Sequence, residues 1–354
     1  MEMKKVLVIF GTRPEVIKLA PVIQELTRFN VSICFTGQHD ELAKQAMSFF
    51  NIKPDYELNV MTENQSLTSL STTLLEKLDY VVQDFEPGLI IVQGDTTTAL
   101  MGAVIGYYHK VKVAHIEAGL RTDDKYAPFP EEINRRLIDH ISDYRFTPTV
   151  VSAYNLEKEG LIKNGWCVGN TGIDALLMGL DNVSMVTMPR EYILVTCHRR
   201  ENFGNPLKRI CKAVKRIARQ IDIVFIVHPN PNVKKFVYKY LGKEKNISII
   251  EGVSYGSLVE YMRDCEFIIT DSGGLQEEAP TLKKPVLVIR DKTERVEGLG
   301  KVSILVGTKT NNIVKAAKRL LTDEKYYNSF ISNENPYGDG NASKKIAAIL
   351  EKVK

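Results

Sequence analysis

The chain has 354 residues, a net charge of +4 at pH 7, 44% apolar residues and 25% charged residues. This length favours two domains, and the composition is ordinary for a soluble globular protein. The small and scattered positive charge argues against a nucleic-acid-binding protein and is compatible with an anionic small molecule as ligand.

The five cysteines are odd in number, and no C-x-x-C pair is present. We therefore expect a reducing compartment, with neither a disulfide framework nor a zinc or other metal site. The amino-terminal segment MEMKKVLVIFGTRPE has an apolar run too short for a signal peptide or a membrane span. The sequence thus predicts a cytoplasmic protein without membrane insertion.

Short apolar runs alternate with segments of helical periodicity along the chain. The predicted strands of the first half are VLVIF (6–10), VSICFTG (31–37), LIIVQGD (89–95), VKVAHIEAG (111–119) and YRFTPT (144–149). Those of the second half are YILVTCH (192–198), DIVFIVHP (222–229), NISIIEG (246–252), CEFIITDSGG (265–274), KPVLVIR (284–290) and VSILVG (302–307). Continuous apolar runs indicate strands buried on both faces, and their alternation with helices predicts parallel sheets.

This pattern occurs twice, with a glycine-containing stretch at about 165–190 between the halves. The fold class is therefore α/β, with two Rossmann-like, doubly wound domains, 1–168 and 169–340. Residues 341–353 (NASKKIAAILEKV) predict an amphipathic helix. Two such sheets would face a central cleft, and ligands bind beyond the carboxyl ends of parallel strands. We therefore expect the functional residues directly after the strands.

The segment GTRPEVIK follows the first predicted strand. Gly11 permits a tight turn, and Pro14 suits the first turn of a helix. Arg13 would then lie at a helix amino terminus, where an anion meets both guanidinium and backbone N–H groups, and Lys18 follows just over one turn later. A surface arginine in a loop is the alternative. The segment lacks the G-x-G-x-x-G fingerprint of nicotinamide-binding proteins.

Carboxylates follow the next strands of the first half. Asp95 and Glu117 lie at predicted strand ends, although Asp95 could instead cap the following helix. Glu131 and Glu132 follow Pro130 in a predicted first helical turn, where acids often complement the helix dipole. In one crevice, Asp95, Glu117 and Glu131 would raise one another's pKa, which suits acid–base catalysis.

Basic residues and a glycine pair follow the strands of the second half. His198 precedes two arginines, His228 ends another strand, and Arg290, Lys292 and Arg295 follow a third. In TDSGGLQEEAP (270–280), a Gly-Gly turn suits an anion, yet two acids follow within one helical turn. A sugar nucleotide accounts for both features, because its diphosphate suits the turn and its ribose diol suits a carboxylate.

The motifs together resemble those of the non-hydrolysing UDP-N-acetylglucosamine 2-epimerases. In chain order they are GTRPE, GQH (37–39), QGDTTT, HIEAGLRT, PEEINRR, HRREN, HPNP, DSGGLQEEAP and RDKTERVEG, and NPYGDG follows near the carboxyl terminus. The resemblance implies a fold like that of GT-B glycosyltransferases, with the last helix, 341–354, joining the first domain. It also implies reversible conversion of UDP-GlcNAc to UDP-ManNAc, by elimination of UDP to 2-acetamidoglucal and re-addition, without a cofactor.

The resemblance assigns roles to individual residues. Those that match the family's catalytic residues are Asp95, Glu117, Glu131 and His198. Those that match its substrate contacts are Arg13, Lys18, Asp95, Glu117, His198, Leu258, Ser272, Gly273, Gly274, Glu278 and Arg295. Those in motifs of a regulatory UDP-GlcNAc site are Gln38, His39, Arg199 and His228. The family's usual homodimer and its link to polysaccharide biosynthesis are further expectations.

Three other functions share many of these features. A hydrolysing epimerase would release free ManNAc, and a GT-B glycosyltransferase would move the sugar to an acceptor. A sugar-nucleotide sensor would keep the Ser272–Gly274 turn but would have no use for three clustered carboxylates.

Overall fold

The structure is a computed structural model, and it describes residues 4–38, 41–62, 65–183, 191–197, 199, 202–228 and 230–353. The chain forms two compact units, residues 1–178 with 338–354, and residues 179–337. The domain boundaries expected from the sequence were after residue 168 and after residue 340, whereas the two units divide after residue 178 and after residue 337.

The first unit has a seven-stranded parallel sheet with helices between the strands. Its strands are β1 (Lys5–Phe10), β2 (Asn30–Phe35), β3 (Tyr56–Glu57), β4 (Leu89–Gln93), β5 (Lys112–Ile116), β6 (Tyr144–Thr147) and β7 (Gly165–Cys167). Its helices are α1 (Arg13–Glu25), α2 (Glu41–Phe49), α3 (Leu67–Phe85), α4 (Thr97–Tyr108), α5 (Glu131–Ile141), α6 (Val150–Lys158) and α7 (Thr171–Asn182), which runs across the boundary. The strand order is β3-β2-β1-β4-β5-β6-β7.

The second unit repeats this plan with a six-stranded parallel sheet. Its strands are β8 (Tyr192–Cys197), β9 (Asp222–Val227), β10 (Ile247–Ile250), β11 (Ile268–Thr270), β12 (Val286–Val288) and β13 (Ser303–Leu305). Its helices are α8 (Asn205–Ile217), α9 (Pro231–Leu241), α10 (Tyr255–Asp264), α11 (Gly273–Glu278), α12 (Thr310–Thr322) and α13 (Glu324–Ile331), with 3₁₀ turns at Ala279–Leu282 and Val296–Gly298. The order β10-β9-β8-β11-β12-β13 is again doubly wound.

The buried strands carry the core of each unit. β1 is buried from Val6 to Phe10, and β4 is buried along its whole length, because helices cover both faces of the sheet. The predicted α/β class with two parallel sheets is confirmed. The interpretation of 165–190 as a connecting stretch is wrong at its start, because β7 extends the first sheet and α7 follows it.

The carboxyl-terminal helix α14 (Ala342–Lys352) belongs to the first unit, where it packs against α1. Buried Asp174 on α7 caps it, accepting hydrogen bonds from the backbone N–H groups of Ala342 and Ser343 at 3.3 and 2.8 Å. Arg28 adds a surface ion pair with Glu351 at 3.0 Å. The predicted amphipathic helix at 341–353 is therefore present, one residue shorter at each end.

Candidate active site

The strand order of the first sheet determines where its polar loops meet. β1 lies between β2 and β4, so the chain leaves β1 towards one side of the sheet and later continues on the other. In open parallel sheets, ligands bind at this switch point beyond the carboxyl ends of the strands. The segments that follow β1, β4 and β5 lie at this edge, and they contain Arg13, Lys18, Asp95 and Glu117.

Asp95 follows β4 and is hydrogen-bonded to two residues of α5. Its Oδ2 atom accepts hydrogen bonds from Arg135 Nη2 at 2.5 Å and Nε at 3.1 Å, and its carbonyl accepts one from the Asn134 amide at 2.9 Å. The alternative that Asp95 caps α4 is wrong, because Thr96 is the capping residue and its hydroxyl accepts from the backbone N–H of Ala99.

Glu117 follows β5 directly, in an unusual backbone conformation. Its φ angle of +70° lies in the left-handed region, which costs a residue with a side chain about 1 kcal/mol or more. Its Oε2 atom accepts hydrogen bonds from Lys18 Nζ at 2.5 Å and from the Gln93 amide. A nearly buried carboxylate on a strained turn is typical of a functional residue rather than of a fold-stabilising one.

The two glutamates that begin α5 differ in their surroundings. Glu132 is buried and binds the protein through both oxygens, to the backbone N–H of Thr122 at 3.0 Å and to Arg136 Nε at 3.0 Å. Glu131 instead has a buried Oε2 atom without a hydrogen-bond partner among the described residues. The structural role at this helix start therefore belongs to Glu132, while Glu131 keeps a carboxylate oxygen for a ligand.

The three predicted carboxylates share one further property. In the described part of the chain, Asp95 and Glu117 are each held through one oxygen, and no hydrogen bond reaches Asp95 Oδ1 or Glu117 Oε1. Each of the three side chains therefore presents an oxygen that can accept a proton or a substrate hydroxyl. Arg135 and Lys18 place a positive charge directly beside Asp95 and Glu117.

A chain of ion pairs extends from this group into the interior of the unit, with contact distances between 2.5 and 3.3 Å. In order, it joins Asp95, Arg135, Glu132, Arg136, Glu159, Arg121, Asp139 and His115. Burial by itself would raise the pKa of Asp139, but the charges of His115 and Arg121 hold it below its usual value.

Glu15 joins the segments that follow β1 and β4. Its Oε2 atom accepts the backbone N–H groups of Gly11 and Thr12 at 3.1 and 2.8 Å, and its Oε1 atom lies 2.7 Å from the Thr96 hydroxyl. The side chain is 1% exposed, and burial raises the pKa of Glu15 to about 7.

The second unit has an equivalent switch point between β8 and β11. Asp271, fully buried after β11, accepts the backbone N–H of Arg199 at 3.0 Å and the Asn202 amide at 2.8 Å. Ser272 caps α11, and Gly273 and Gly274 are the first residues of that helix. The Gly-Gly turn thus lies at a helix amino terminus, as predicted from the sequence.

Three arginines surround Glu294 beside this turn. Its carboxylate accepts hydrogen bonds from Arg295 at 2.6 Å, Arg290 at 2.7 Å and Arg199 at 3.1 Å. Burial alone would raise the pKa of Glu294, but the charges of Arg295, Arg199 and Arg290 lower it to about 2. Arg295 also pairs with Glu277 at 2.8 Å. Three guanidinium groups thus converge beside the Gly-Gly turn, where they can contact an anion as well as these carboxylates.

Arg295 approaches Gly273 closely. A Cβ atom at this position would lie 3.0 Å from the guanidinium carbon, tighter than most real Cβ contacts, so the arginine would have to shift by a few tenths of an ångström. The carboxyl-terminal loop braces the same region, because Asn335 donates to the carbonyl of Glu277 at 2.8 Å and Tyr337 donates to the carbonyl of Arg295 at 3.0 Å. The helix that begins at Gly273 and the segment that carries Arg295 are thus both hydrogen-bonded to the same carboxyl-terminal loop.

The other predicted residues are distributed over both units. Glu278 is 9% exposed at the end of α11, and Leu258 lies on α10, which begins after the capping residue Ser254. Gln38 follows β2 and accepts from the Thr98 hydroxyl at 2.8 Å, whereas His228 follows β9. His198 and His39 lie outside the described residues.

Comparison with known proteins identifies the family. A family model described as UDP-N-acetylglucosamine 2-epimerase matches residues 22–351. The UDP-N-acetylglucosamine 2-epimerase of Campylobacter jejuni is 44% identical over 99% of this chain and 98% of its own. The chain belongs to the UDP-N-acetylglucosamine 2-epimerase family.

Solved structures of UDP-N-acetylglucosamine 2-epimerases are similar over nearly the whole length. The crystal structure of the Neisseria meningitidis enzyme bound to UDP-GlcNAc is 41% identical and superposes with a TM-score of 0.91, covering 99% of this chain and all of that one (100%). The Methanocaldococcus jannaschii enzyme in complex with UDP-GlcNAc and UDP is 37% identical, with a TM-score of 0.84 and coverage of 99% and 100%.

Several residues that build the site in this family member were not singled out from the sequence. They are Glu15, Gln93, His115, Arg135, Asp139 and Glu294. All but Asp139 lie in or next to the quoted motifs, so motif membership was the available signal, but only the folded chain shows which carboxylate each contacts.

Neither a metal-binding cluster nor a membrane-spanning helix is present among the described residues. Across the described ranges, no group of three or more histidine, cysteine, aspartate or glutamate residues is arranged to hold a metal ion. Nor does any helix in the part of the chain that the structure covers combine the length and apolar character needed to cross a membrane.

Proposed function

We propose that the protein catalyses the reversible conversion of UDP-GlcNAc to UDP-ManNAc at C2, by elimination and re-addition of UDP. The observation that carries this proposal is the set of Asp95, Glu117 and Glu131, each with a carboxylate oxygen that no described residue binds. Membership of the epimerase family, with relatives solved in complex with UDP-GlcNAc and UDP, supports this substrate.

The second unit is proposed to bind the UDP part of the substrate. Backbone N–H groups at Gly273 and Gly274, the Ser272 hydroxyl and the guanidinium group of Arg295 suit the diphosphate. Glu278 is proposed to accept the ribose hydroxyls, and Leu258 to lie against the uracil.

The first unit is proposed to carry out the elimination and the re-addition. A carboxylate removes the C2 proton, the C–H electron pair forms the C1–C2 double bond, and the C1–O bond breaks with its electrons leaving on UDP. The products are 2-acetamidoglucal and UDP. A UDP oxygen then attacks C1, and a second acid delivers a proton to the opposite face of C2.

The side chains around the carboxylates have positioning roles in this reaction. Arg135 fixes Asp95 through Oδ2, while Lys18 and Gln93 fix Glu117 through Oε2, so the other oxygen of each carboxylate is directed to the substrate. Arg13 and Lys18 are proposed substrate contacts, and His198 is proposed to lie near the diphosphate.

Product analysis distinguishes this reaction from its alternatives. The protein is incubated with UDP-GlcNAc alone, and the products are followed by ³¹P and ¹H NMR. We expect UDP-ManNAc with the diphosphate intact. Free ManNAc as the main product would establish the hydrolysing reaction instead, and an unchanged substrate would favour a glycosyltransferase or a sensor.

Asp95→Asn and Glu117→Gln test the division between the units. Because both residues belong to the first unit, each variant is expected to lose turnover by about 100-fold or more while UDP binding, measured by calorimetry, stays within about twofold. Normal turnover by both variants would refute the catalytic assignment.

The remaining expectations are a homodimer, the regulatory role of Gln38, His39, Arg199 and His228, and a cytoplasmic place in polysaccharide biosynthesis. Light scattering of the purified protein measures its oligomeric state. A sigmoidal dependence of the rate on UDP-GlcNAc, abolished by Gln38→Ala, would support the regulatory role.

A further inference from the structure

The turns that carry Asp95 and Glu117 are joined by a buried pair of side chains. His115, within β5, has its Nε2 atom 2.8 Å from the carbonyl of Gly94, the residue before Asp95. Its Nδ1 atom lies 2.7 Å from Asp139 Oδ1. The other oxygen of Asp139 accepts the backbone N–H of Gly119, two residues after Glu117, at 3.1 Å.

These contacts fix backbone groups that the sheet itself does not. Gly94, Glu117 and Gly119 all have positive φ angles, of 70°, 70° and 83°, so both turns depart from strand geometry. Gly119 has no room for a side chain, since a Cβ atom would lie 2.2 Å from the carbonyl oxygen of Ser152. The His115–Asp139 pair therefore spans two turns with positive φ angles and binds one backbone group in each.

The pair has polar contacts on both sides of the imidazole ring. One ring nitrogen of His115 faces a carboxylate oxygen at 2.7 Å, and the other faces a carbonyl oxygen at 2.8 Å. Arg121 Nη1 stabilises the Asp139 carboxylate from a third direction, at 2.8 Å. His115 and Asp139 are both completely buried.

Stability alone is a weak reason for such a pair. Burying two charges costs desolvation energy, and an apolar pair of similar volume often stabilises a fold equally well or better. What an apolar pair lacks is directional contact with Gly94 and Gly119. Directional contact matters here because a misplacement of about 1 Å in a catalytic group can reduce the rate by about 100-fold.

We propose that His115 and Asp139 are positioning residues, which hold the Asp95 and Glu117 turns in register for proton transfer at C2. The proposal rests on the proposed epimerase function. It predicts that disrupting the pair impairs the chemical step and leaves the binding of UDP, assigned to the second unit, unchanged.

Three substitutions separate the contacts of the pair. His115→Asn places an amide donor near the position of Nδ1, so it keeps the contact with Asp139 and loses the one with Gly94. His115→Gln places an amide donor near the position of Nε2, so it keeps the contact with Gly94 and loses the one with Asp139. Asp139→Asn keeps the shape but removes the negative charge and replaces one of the two acceptor oxygens, which face His115 and Gly119, with an amide donor.

Asp174→Asn is the matched control. Asp174 is also buried in the first unit and accepts two backbone N–H groups, but these belong to α14 and not to either turn. Its substitution weakens the same unit while the contacts of His115 and Asp139 stay in place. Urea unfolding followed by the fluorescence of Trp166, the one tryptophan of the chain and a residue of β7, measures the stability of each variant.

The experiment compares kcat and KM for UDP-GlcNAc, and Kd for UDP by calorimetry. We expect Asp139→Asn and His115→Asn to lower kcat by about 10- to 100-fold with KM and Kd within about twofold, while Asp174→Asn keeps kcat within about twofold. His115→Gln, which keeps the Gly94 contact, should retain more activity than His115→Asn, and this comparison decides the matter should Asp139→Asn fail to fold.

Two results would overturn the proposal. One is a kcat for Asp139→Asn and His115→Asn that falls no further than that of Asp174→Asn, and the other is a parallel loss of UDP affinity, which would indicate general damage to the fold. Wild-type turnover serves as the reference: if the wild type does not epimerise UDP-GlcNAc, the proposed function fails, whereas normal turnover by the variants refutes only the positioning role.

Discussion

The buried carboxyl of Glu15 makes the stability of the first unit depend on pH. Burial raises its pKa from an ordinary value of about 4.5 to about 7, against the opposing effect of its hydrogen bonds with Thr96, Gly11 and Thr12. Between these values the folded chain keeps a proton that the unfolded chain has released, so the free energy of unfolding falls as the pH rises. At about 1.36 kcal/mol per pH unit, the loss across this window is about 3 kcal/mol.

Glu15→Gln removes this titration and can preserve the contacts. The amide oxygen can accept the backbone N–H groups of Gly11 and Thr12, and the amide nitrogen can donate to the Thr96 hydroxyl oxygen, which has a second lone pair for the backbone N–H of Ala99. We therefore expect variant and wild type to be equally stable near pH 4.5. Above about pH 7, the variant should be more stable by about 3 kcal/mol.

Urea denaturation at a series of pH values, followed by Trp166 fluorescence, measures this difference. Subtracting the two proteins at each pH cancels the titration of all other groups. Glu76→Gln, on the exposed face of α3, is the control for replacing a glutamate by glutamine in the same unit. A Glu15→Gln difference that stays constant from pH 4.5 to 8, or a variant weaker than wild type above pH 7, would refute the assigned role of burial.

Two other contacts give predictions of the same kind. Arg135→Gln removes the cation that holds Asp95, so kcat for UDP-GlcNAc should fall by about 10- to 100-fold while the affinity for UDP stays unchanged. Arg28→Gln loses only a surface ion pair and should keep wild-type turnover. Equal kcat values for the two variants would contradict the positioning role of Arg135. Glu294→Gln should destabilise the second unit by about 2 to 3 kcal/mol at neutral pH, because the lowered pKa of Glu294 contributes stability above about pH 4.5 that is lost as the pH falls towards 2. Urea unfolding followed by circular dichroism should show this difference shrinking at about pH 3.5, and a difference that grows on acidification would be inconsistent with it.

The main architecture follows from local patterns in the sequence. Continuous apolar runs such as VLVIF and LIIVQ become fully buried parallel strands, because only strands covered on both faces require such composition. The short edge strands were missed for a physical reason. β3 has two residues, and β7 has the sequence GWC with partly exposed side chains, so neither has a long apolar run.

In the candidate site, the carboxylates could be predicted from the sequence, but the side chains that they contact could not. Asp95, Glu117 and Glu131 were found because each directly follows a strand or begins a helix. Their partners are distant in sequence: Lys18 lies 99 positions before Glu117, and Arg135 lies 40 positions after Asp95. Asp139 is a polar residue of α5, and nearby residues of the same helix, Leu137 and His140, are exposed. Only the tertiary fold shows that Asp139 is buried against His115.

The central claim is that carboxylates of the first unit exchange the proton at C2 of the sugar. It is tested most directly by incubating the protein with UDP-GlcNAc in D₂O, without any added cofactor, and recording the ¹H NMR spectrum of the product. We expect UDP-ManNAc with deuterium at C2 and the nucleotide still attached at C1. UDP-ManNAc that retains its C2 proton would contradict it.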